Sequence, residues 1–236
     1  MRLDRFVSQA AGVSRSRARG LIRSGEITVD GRPVREAARA LVAGQKVACR
    51  GEPLDLPRRL YLMLNKPCGL LSATRDSRQA TVLSLLPPPL AARLHLVGRL
   101  DKETSGLLLL SDDGDWSHRI TSPRHHCAKT YLADLAEPLT ADAEDRLARG
   151  LMLRSETTPT RAAHLERLSA TRVRITLDEG RYHQVRRMFA ALGNRVLALH
   201  RERIGGLALD EHLQAGQWRE LSEVERSAVF STEIMG

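Results

Sequence analysis

Three short stretches carry residues able to do chemistry on a polar substrate. The first is Gly98-Arg99-Leu100-Asp101-Lys102-Glu103-Thr104-Ser105-Gly106, which runs into four leucines, Leu107 to Leu110. A carboxylate set before a small-residue bend and an apolar strand can be held against a core, where its ionisation needs a partner. The same residue types also make a strand-leading turn with a solvated Asp, so the segment alone leaves both readings open. The second stretch is Lys129-Thr130-Tyr131-Leu132-Ala133-Asp134-Leu135. Read as a strand, it puts Tyr131, Ala133 and Leu135 on one face, where Tyr131 either stacks on a base or packs half-buried. With only three Tyr and 3% aromatic residues in the chain, a Tyr beside a basic strand start carries added weight.

The third stretch is Glu179-Gly180-Arg181-Tyr182-His183-Gln184-Val185-Arg186-Arg187-Met188-Phe189. Gly180 ends an alternating strand of Val173, Ile175 and Leu177, and Val185, Met188, Phe189 and Leu192 then fall on a helical apolar stripe. Arg186 lies next to that stripe. It either projects toward a site, where it would lower the pKa of a nearby carboxylate, or stays on the surface. Arg187 reads as a surface or RNA-backbone residue. For His183 the roles of ligand, base and hydrogen-bonded structural residue are open.

The elements that must position these groups are a mixture of strands and helices. Tyr61 to Leu64 reads as a buried strand ending at Asn65-Lys66-Pro67-Cys68-Gly69, a turn in which Pro67 fixes the chain and Gly69 permits close backbone approach. No regular strand-helix-strand period appears, which favours an α+β arrangement over a doubly wound sheet. The first 60 residues are different in character. They hold thirteen Lys/Arg and six Asp/Glu, so most of the net charge of +9 lies in the first quarter of the 236 residues. Leu3, Phe6, Val7 and Ala10 recur at helical spacing, and Ser14 caps a second helix carrying Arg15, Arg17, Arg19 and Arg23 around Leu21 and Ile22. Ile27 and Val29 precede Asp30-Gly31, a hairpin signal. Residues 49 to 59, punctuated by Gly51, Pro53 and Pro57, read as a linker. The expected organisation is therefore a basic module over residues 1–48, a linker over 49–59 and a larger domain over 60–236.

Arg15 and Arg19, four apart, share a helix face, where guanidinium forks can grip phosphate oxygens. Six acidic residues cannot balance thirteen basic ones, so a polyanionic partner is expected, and RNA is favoured. Apolar runs are far shorter than the roughly 20 residues a membrane-crossing helix needs, and no signal-peptide apolar region follows Met1. Three widely spaced cysteines, Cys49, Cys68 and Cys127, fit a reducing compartment, so a cytoplasmic protein is expected. His125, His126 and Cys127 are adjacent, a spacing poorly suited to converging on a metal, and no metal is expected.

Two resemblances sharpen these readings. Residues 1 to about 48 resemble an S4 RNA-binding domain in Arg2-Leu3-Asp4-Arg5-Phe6, Ser14-Arg15-Ser16-Arg17-Ala18 and Val29-Asp30-Gly31. Asn65-Lys66-Pro67-Cys68-Gly69, Gly98-Arg99-Leu100-Asp101 with Thr104 to Leu107, Lys129-Thr130-Tyr131 and Gly180 to Arg186 occur in the order found in pseudouridine synthases. The stretches 112–127 and 199–206 further resemble the RsuA branch, which acts on small-subunit ribosomal RNA. The resemblance implies a small S4-like domain followed by a mixed, largely antiparallel β-sheet catalytic domain. It implies isomerisation of uridine, with position 516 of the 16S RNA as the expected target, and no cofactor. By the same likeness Asp101 supplies the essential carboxylate, Arg186 pairs with it, and Tyr131 stacks on the extruded base. Lys66, Arg99 and Arg181 are implied phosphate or loop contacts. The expected partner is ribosomal RNA, alone or within a small-subunit assembly intermediate, with a monomeric protein favoured.

Overall fold

The computed structural model describes residues 1–231. It divides into two compact units, Met1–Arg58 and a second that begins at Arg59. The last five positions of the expected 60–236 span lie outside the described residues.

In the first unit, α1 (Leu3–Ala10) and α2 (Arg15–Arg23) form where their apolar spacing predicts, and Ser14 Oγ accepts the Arg17 amide at 3.2 Å as the cap of α2. Four short strands follow: β1 (Ile27–Val29), β2 (Arg32–Pro33), β3 (Val47–Cys49) and β4 (Glu52–Leu54), in the order β2-β1-β3-β4. Leu3, Val7, Ala18, Ile22, Ile27, Val29, Val34 and Val47 make the core. Asp30 and Gly31 both take positive φ, 52° and 76°, as a two-residue hairpin requires.

The expected linker is partly sheet. Arg50 and Gly51, with φ of 54° and 88°, turn β3 back into β4, where Cys49 pairs with Glu52 and Ala48 with Pro53. β4 is an edge strand, where Pro53, which has no N–H to donate, is tolerated.

The second unit contains, in chain order, β5 (Tyr61–Lys66), α3 (Pro88–Arg93), β6 (His95–Val97), β7 (Ser105–Ser111), α4 (Gly114–Thr121), β8 (Lys129–Leu135), α5 (Ala143–Arg149), β9 (His164–Arg167), β10 (Arg172–Leu177), α6 (Gln184–Ala191), β11 (Val196–Ile204), β12 (Leu207–Ala208), β13 (Trp218–Glu220) and α7 (Glu223–Ala228). Its sheet runs β13-β5-β7-β11-β8-β10-β9, with β12 against β11 and β6 against β7. Pairing is antiparallel except between β7 and β11, so the sheet is mixed and largely antiparallel as expected.

The leucine run of β7 is continuous because both faces are covered. Leu107 and Leu109 pack with Trp116, Ile120 and Ile204, while Leu108 and Leu110 pack with Leu62, Leu64 and Val82. A third cluster buries Val185, Met188 and Phe189 of α6 with Ala133, Val173 and Ile175 of β8 and β10. The parallel pairing sets Gly106 opposite Arg201. Gly106 has φ of +102°, and a Cβ there would lie 2.3 Å from the Arg201 carbonyl oxygen, so glycine alone lets β7 and β11 approach.

Candidate active site

The loop leading into β7, the inner ends of β8 and β11, and the strap from β10 to α6 surround a cavity of 780 Å³ that Asp101, Lys129, Tyr131, His183 and Arg201 all line. Asp101 occupies a loop fixed through its main chain. Its carbonyl accepts the Thr104 amide at 3.1 Å, and Ser72 Oγ both accepts from the Leu100 amide and donates to the Leu100 carbonyl. Its side chain keeps 32% exposure, held toward the cavity rather than freely solvated.

Of the phosphate and loop contacts open to Lys66, the structure shows the loop contact. Lys66 is completely buried at the end of β5, and its Nζ reaches the carbonyls of Thr104 (2.9 Å), Pro67 (3.0 Å), Asp101 (3.2 Å) and Lys102 (3.3 Å). Burial pushes its pKa below the ordinary lysine value. An ammonium ringed by main-chain oxygens pins the Asp101 loop and leaves nothing to offer RNA.

Arg186 also differs from expectation. Its guanidinium donates to the carbonyls of Glu103 at 2.9 Å and Val196 at 3.1 Å, and no ion pair with Asp101 forms among the described residues. It touches the Asp101 loop through the main chain instead. The side chain beside the Asp101 carboxylate is that of His183, whose Nε2 lies 3.4 Å from Oδ1. His183 takes a left-handed backbone (φ 48°) just before α6, and its ring stacks on Tyr182 at 3.8 Å between centroids. A left-handed non-glycine residue is uncommon, and here the conformation turns the imidazole toward the carboxylate.

Arg181 and Arg187 are committed to holding the strap. Arg181 donates to the carbonyls of Thr158 (2.9 Å) and Pro159 (2.6 Å) and pairs with Glu179, and Arg187 donates to Arg154 O (2.6 Å) and pairs with Glu156 (2.8 Å). Arg181 thus makes a loop contact, one of the two roles open to it, and the Arg187 guanidinium is engaged by the protein rather than left for an RNA backbone. Arg99 is exposed at the cavity edge. In the first unit Arg15, Arg17, Arg19 and Arg23 are all exposed, and Arg19 also pairs at 3.1 Å with Asp4, itself fully buried. Hydrogen bonds from Arg2, then Arg19, hold the Asp4 carboxyl below its usual pKa despite burial.

Tyr131 lines the cavity from β8 and packs against the cluster that holds Ala133 and Leu135, with which it shares a strand face. Two cations beside it were not assigned roles from sequence. Lys129 donates to Cys127 O at 2.5 Å, and burial lowers its pKa. Arg201 is only 3% exposed; its Nε donates to Leu107 O at 2.8 Å, and its Nη1 lies 3.5 Å from the Tyr131 hydroxyl and 3.4 Å from Arg99 O. The signal for Arg201 was its position two residues after Leu199 in a strand, which puts it on the inward face.

A small RNA-binding-type unit followed by a mixed-sheet unit with a carboxylate cavity defines a class of RNA-modifying protein. The chain belongs to the RNA pseudouridylate synthase family: the family model matches residues 60–191, and an S4 domain model matches residues 1–47. It is 52% identical to ribosomal small subunit pseudouridine synthase A of Escherichia coli strain K12, over 97% of this chain and all of that protein. The protein of the same description from Yersinia pestis is 49% identical over 99% of this chain and all of its own length. A crystal structure of a pseudouridylate synthase superposes with a TM-score of 0.72 at 43% identity, covering 97% of this chain and 99% of that one.

Proposed function

We propose that this chain converts one uridine of small-subunit ribosomal RNA to pseudouridine, with Asp101 as its catalytic carboxylate. The observation that carries the proposal is the cavity in which Asp101, on a loop pinned by Lys66 and Ser72, and Tyr131 line a common wall. Near-complete mutual coverage with small-subunit synthases supports the choice of RNA, and position 516 of the 16S RNA is the proposed target.

The reaction breaks the C1′–N1 bond, turns the uracil and joins its C5 to C1′. The C5 proton leaves and N1 gains one, so the formula is unchanged and no redox partner enters the balance. Asp101 acts as an ionised carboxylate, either attacking the nucleoside or assisting departure of the base. Tyr131 stacks on the base once it has left the RNA stack. Arg186 is a positioning residue, acting on Asp101 through the Glu103 carbonyl. Arg15, Arg17 and Arg23 hold phosphates from the first unit and Arg99 does so at the cavity rim; the substrate is ribosomal RNA within an assembling subunit, in the cytoplasm.

The test is tritium release from C5-tritiated uridine RNA. The purified chain is expected to release tritium stoichiometrically from one site in small-subunit RNA or its assembly particles, and not from large-subunit or transfer RNA. Release confined to either of the latter would overturn the target; no release from any of them would overturn the activity.

A further inference from the structure

Arg201 is a buried cation with an unused donor. Among the described residues its Nη2 has no hydrogen-bond acceptor, and no carboxylate lies within ion-pairing distance of its guanidinium. Thr104 Oγ1, 1% exposed and lining the same cavity, is likewise without a protein partner. A charged donor buried without an anion is destabilising, and proteins keep one where something else supplies the negative charge. β7 and β11 hold Arg201 rigidly: Gly106 packs against its main chain, Leu107 O takes its Nε, and the guanidinium carbon sits 5.9 Å from the Tyr131 ring centroid.

Resting on the proposed reaction, we infer that Arg201 is a further catalytic residue: its free Nη2 donates to a carbonyl oxygen of the uracil as the base detaches. When C1′–N1 breaks, the bonding electron pair stays with the base and is delocalised over N1, O2 and O4. A fixed, desolvated guanidinium N–H beside O2 or O4 is worth more to that anion than to the neutral base, so it lowers the barrier rather than only binding substrate. No proton moves in this step. The same electron pair, delocalised over the ring, later forms C1′–C5, after which C5 loses its proton. A phosphate is a poorer match, because Arg201 is buried in the cavity wall beside Tyr131, while the exposed Arg99 occupies the cavity edge where the backbone would pass.

The test pairs Arg201→Gln and Arg201→Lys with RNA carrying 2-thiouridine or 4-thiouridine at the target, since a thiocarbonyl is a weaker hydrogen-bond acceptor. In single turnover, Arg201→Gln is expected to lower the rate roughly 10²-fold, with RNA affinity and its salt dependence unchanged. Arg201→Lys should lose less, because it keeps the charge but not the fork. One of the two thio substitutions should slow the wild type about tenfold and slow Arg201→Gln hardly further, a non-additivity that a purely structural role would not produce. If Arg201→Gln fails to fold, the wild-type thio comparison still decides. The inference is overturned if neither thio substitution slows the wild type, if the losses multiply in the variant, or if the variant loses RNA affinity instead of rate. A wild type that turns over neither modified nor unmodified RNA overturns the proposed reaction itself.

Discussion

Basic side chains do two different jobs in the two units. On α2, Arg15, Arg17 and Arg23 stand in solvent, where their charge is screened and their geometry loose. In the second unit Lys66 and Arg201 are desolvated and fixed, one ringed by four carbonyls and the other bonded to β7 while keeping one donor free. Exposed cations of the first kind attract and orient a polyanion without reading it. Buried cations of the second kind cannot attract from a distance, and they set the position of a loop or the polarity of a cavity wall. On the proposed function, basic side chains contribute affinity in one unit and geometry in the other.

Four variants put that contrast under strain. The largest effect is expected for Asp101→Asn: turnover should fall roughly 10⁴-fold or more while RNA binding stays near normal, measured by tritium release beside filter binding. Next is Lys66→Met, which strips a donor from buried carbonyls; thermal and denaturant unfolding should show a loss of about 3 kcal/mol, with the salt dependence of RNA binding unchanged. A changed salt slope in that variant would erase the distinction between the two kinds of cation.

Replacing Arg15, Arg17 and Arg23 together by Ala should do the reverse, weakening RNA binding roughly tenfold and flattening the slope of log K against log salt by about 2 without lowering the melting temperature. The smallest effect concerns Glu225, which pairs with Arg219 at 2.7 and 3.1 Å; the Arg219 hydrogen bonds pull its pKa from 4.5 down to about 2. Because the folded value is depressed, its stabilisation is complete above the unfolded value and is lost as pH falls from about 4.5 toward 2. Glu225→Gln should therefore lower stability near neutral pH by about 1 kcal/mol and flatten the decline across that acid window in pH-dependent melting.

Periodicity made α1, α2, α6, β8 and β10 legible, because each buries one face and the apolar spacing records which. Asp30-Gly31 announced its hairpin, but the equivalent Arg50-Gly51 turn did not: an Arg at positive φ leaves no compositional mark, and the nearby Pro53 read as a breaker although it sits on an edge strand. At the candidate site, the bend before β7 and the parity of β8 left Asp101 and Tyr131 each with two readings, and it was the order of the motifs along the chain that singled them out. Lys66 and Arg181, for which phosphate and loop contacts were both open, make loop contacts, and Arg187 does the same; sequence cannot tell whether a cation's donors face solvent or main-chain carbonyls from segments far along the chain. Arg186 and His183 exchanged expectations for the same reason. Which of them lies near the carboxylate depends on the left-handed turn at residue 183.

Whether Asp101 carries out one isomerisation in small-subunit RNA is tested most directly by site-resolved pseudouridine mapping. Ribosomal RNA would be compared from cells lacking the gene and from the same cells supplied with the wild-type chain or with Asp101→Asn. The prediction is that a single small-subunit pseudouridine disappears on deletion, returns with the wild type and stays absent with Asp101→Asn. An unchanged small-subunit map on deletion, or its restoration by Asp101→Asn, would contradict it.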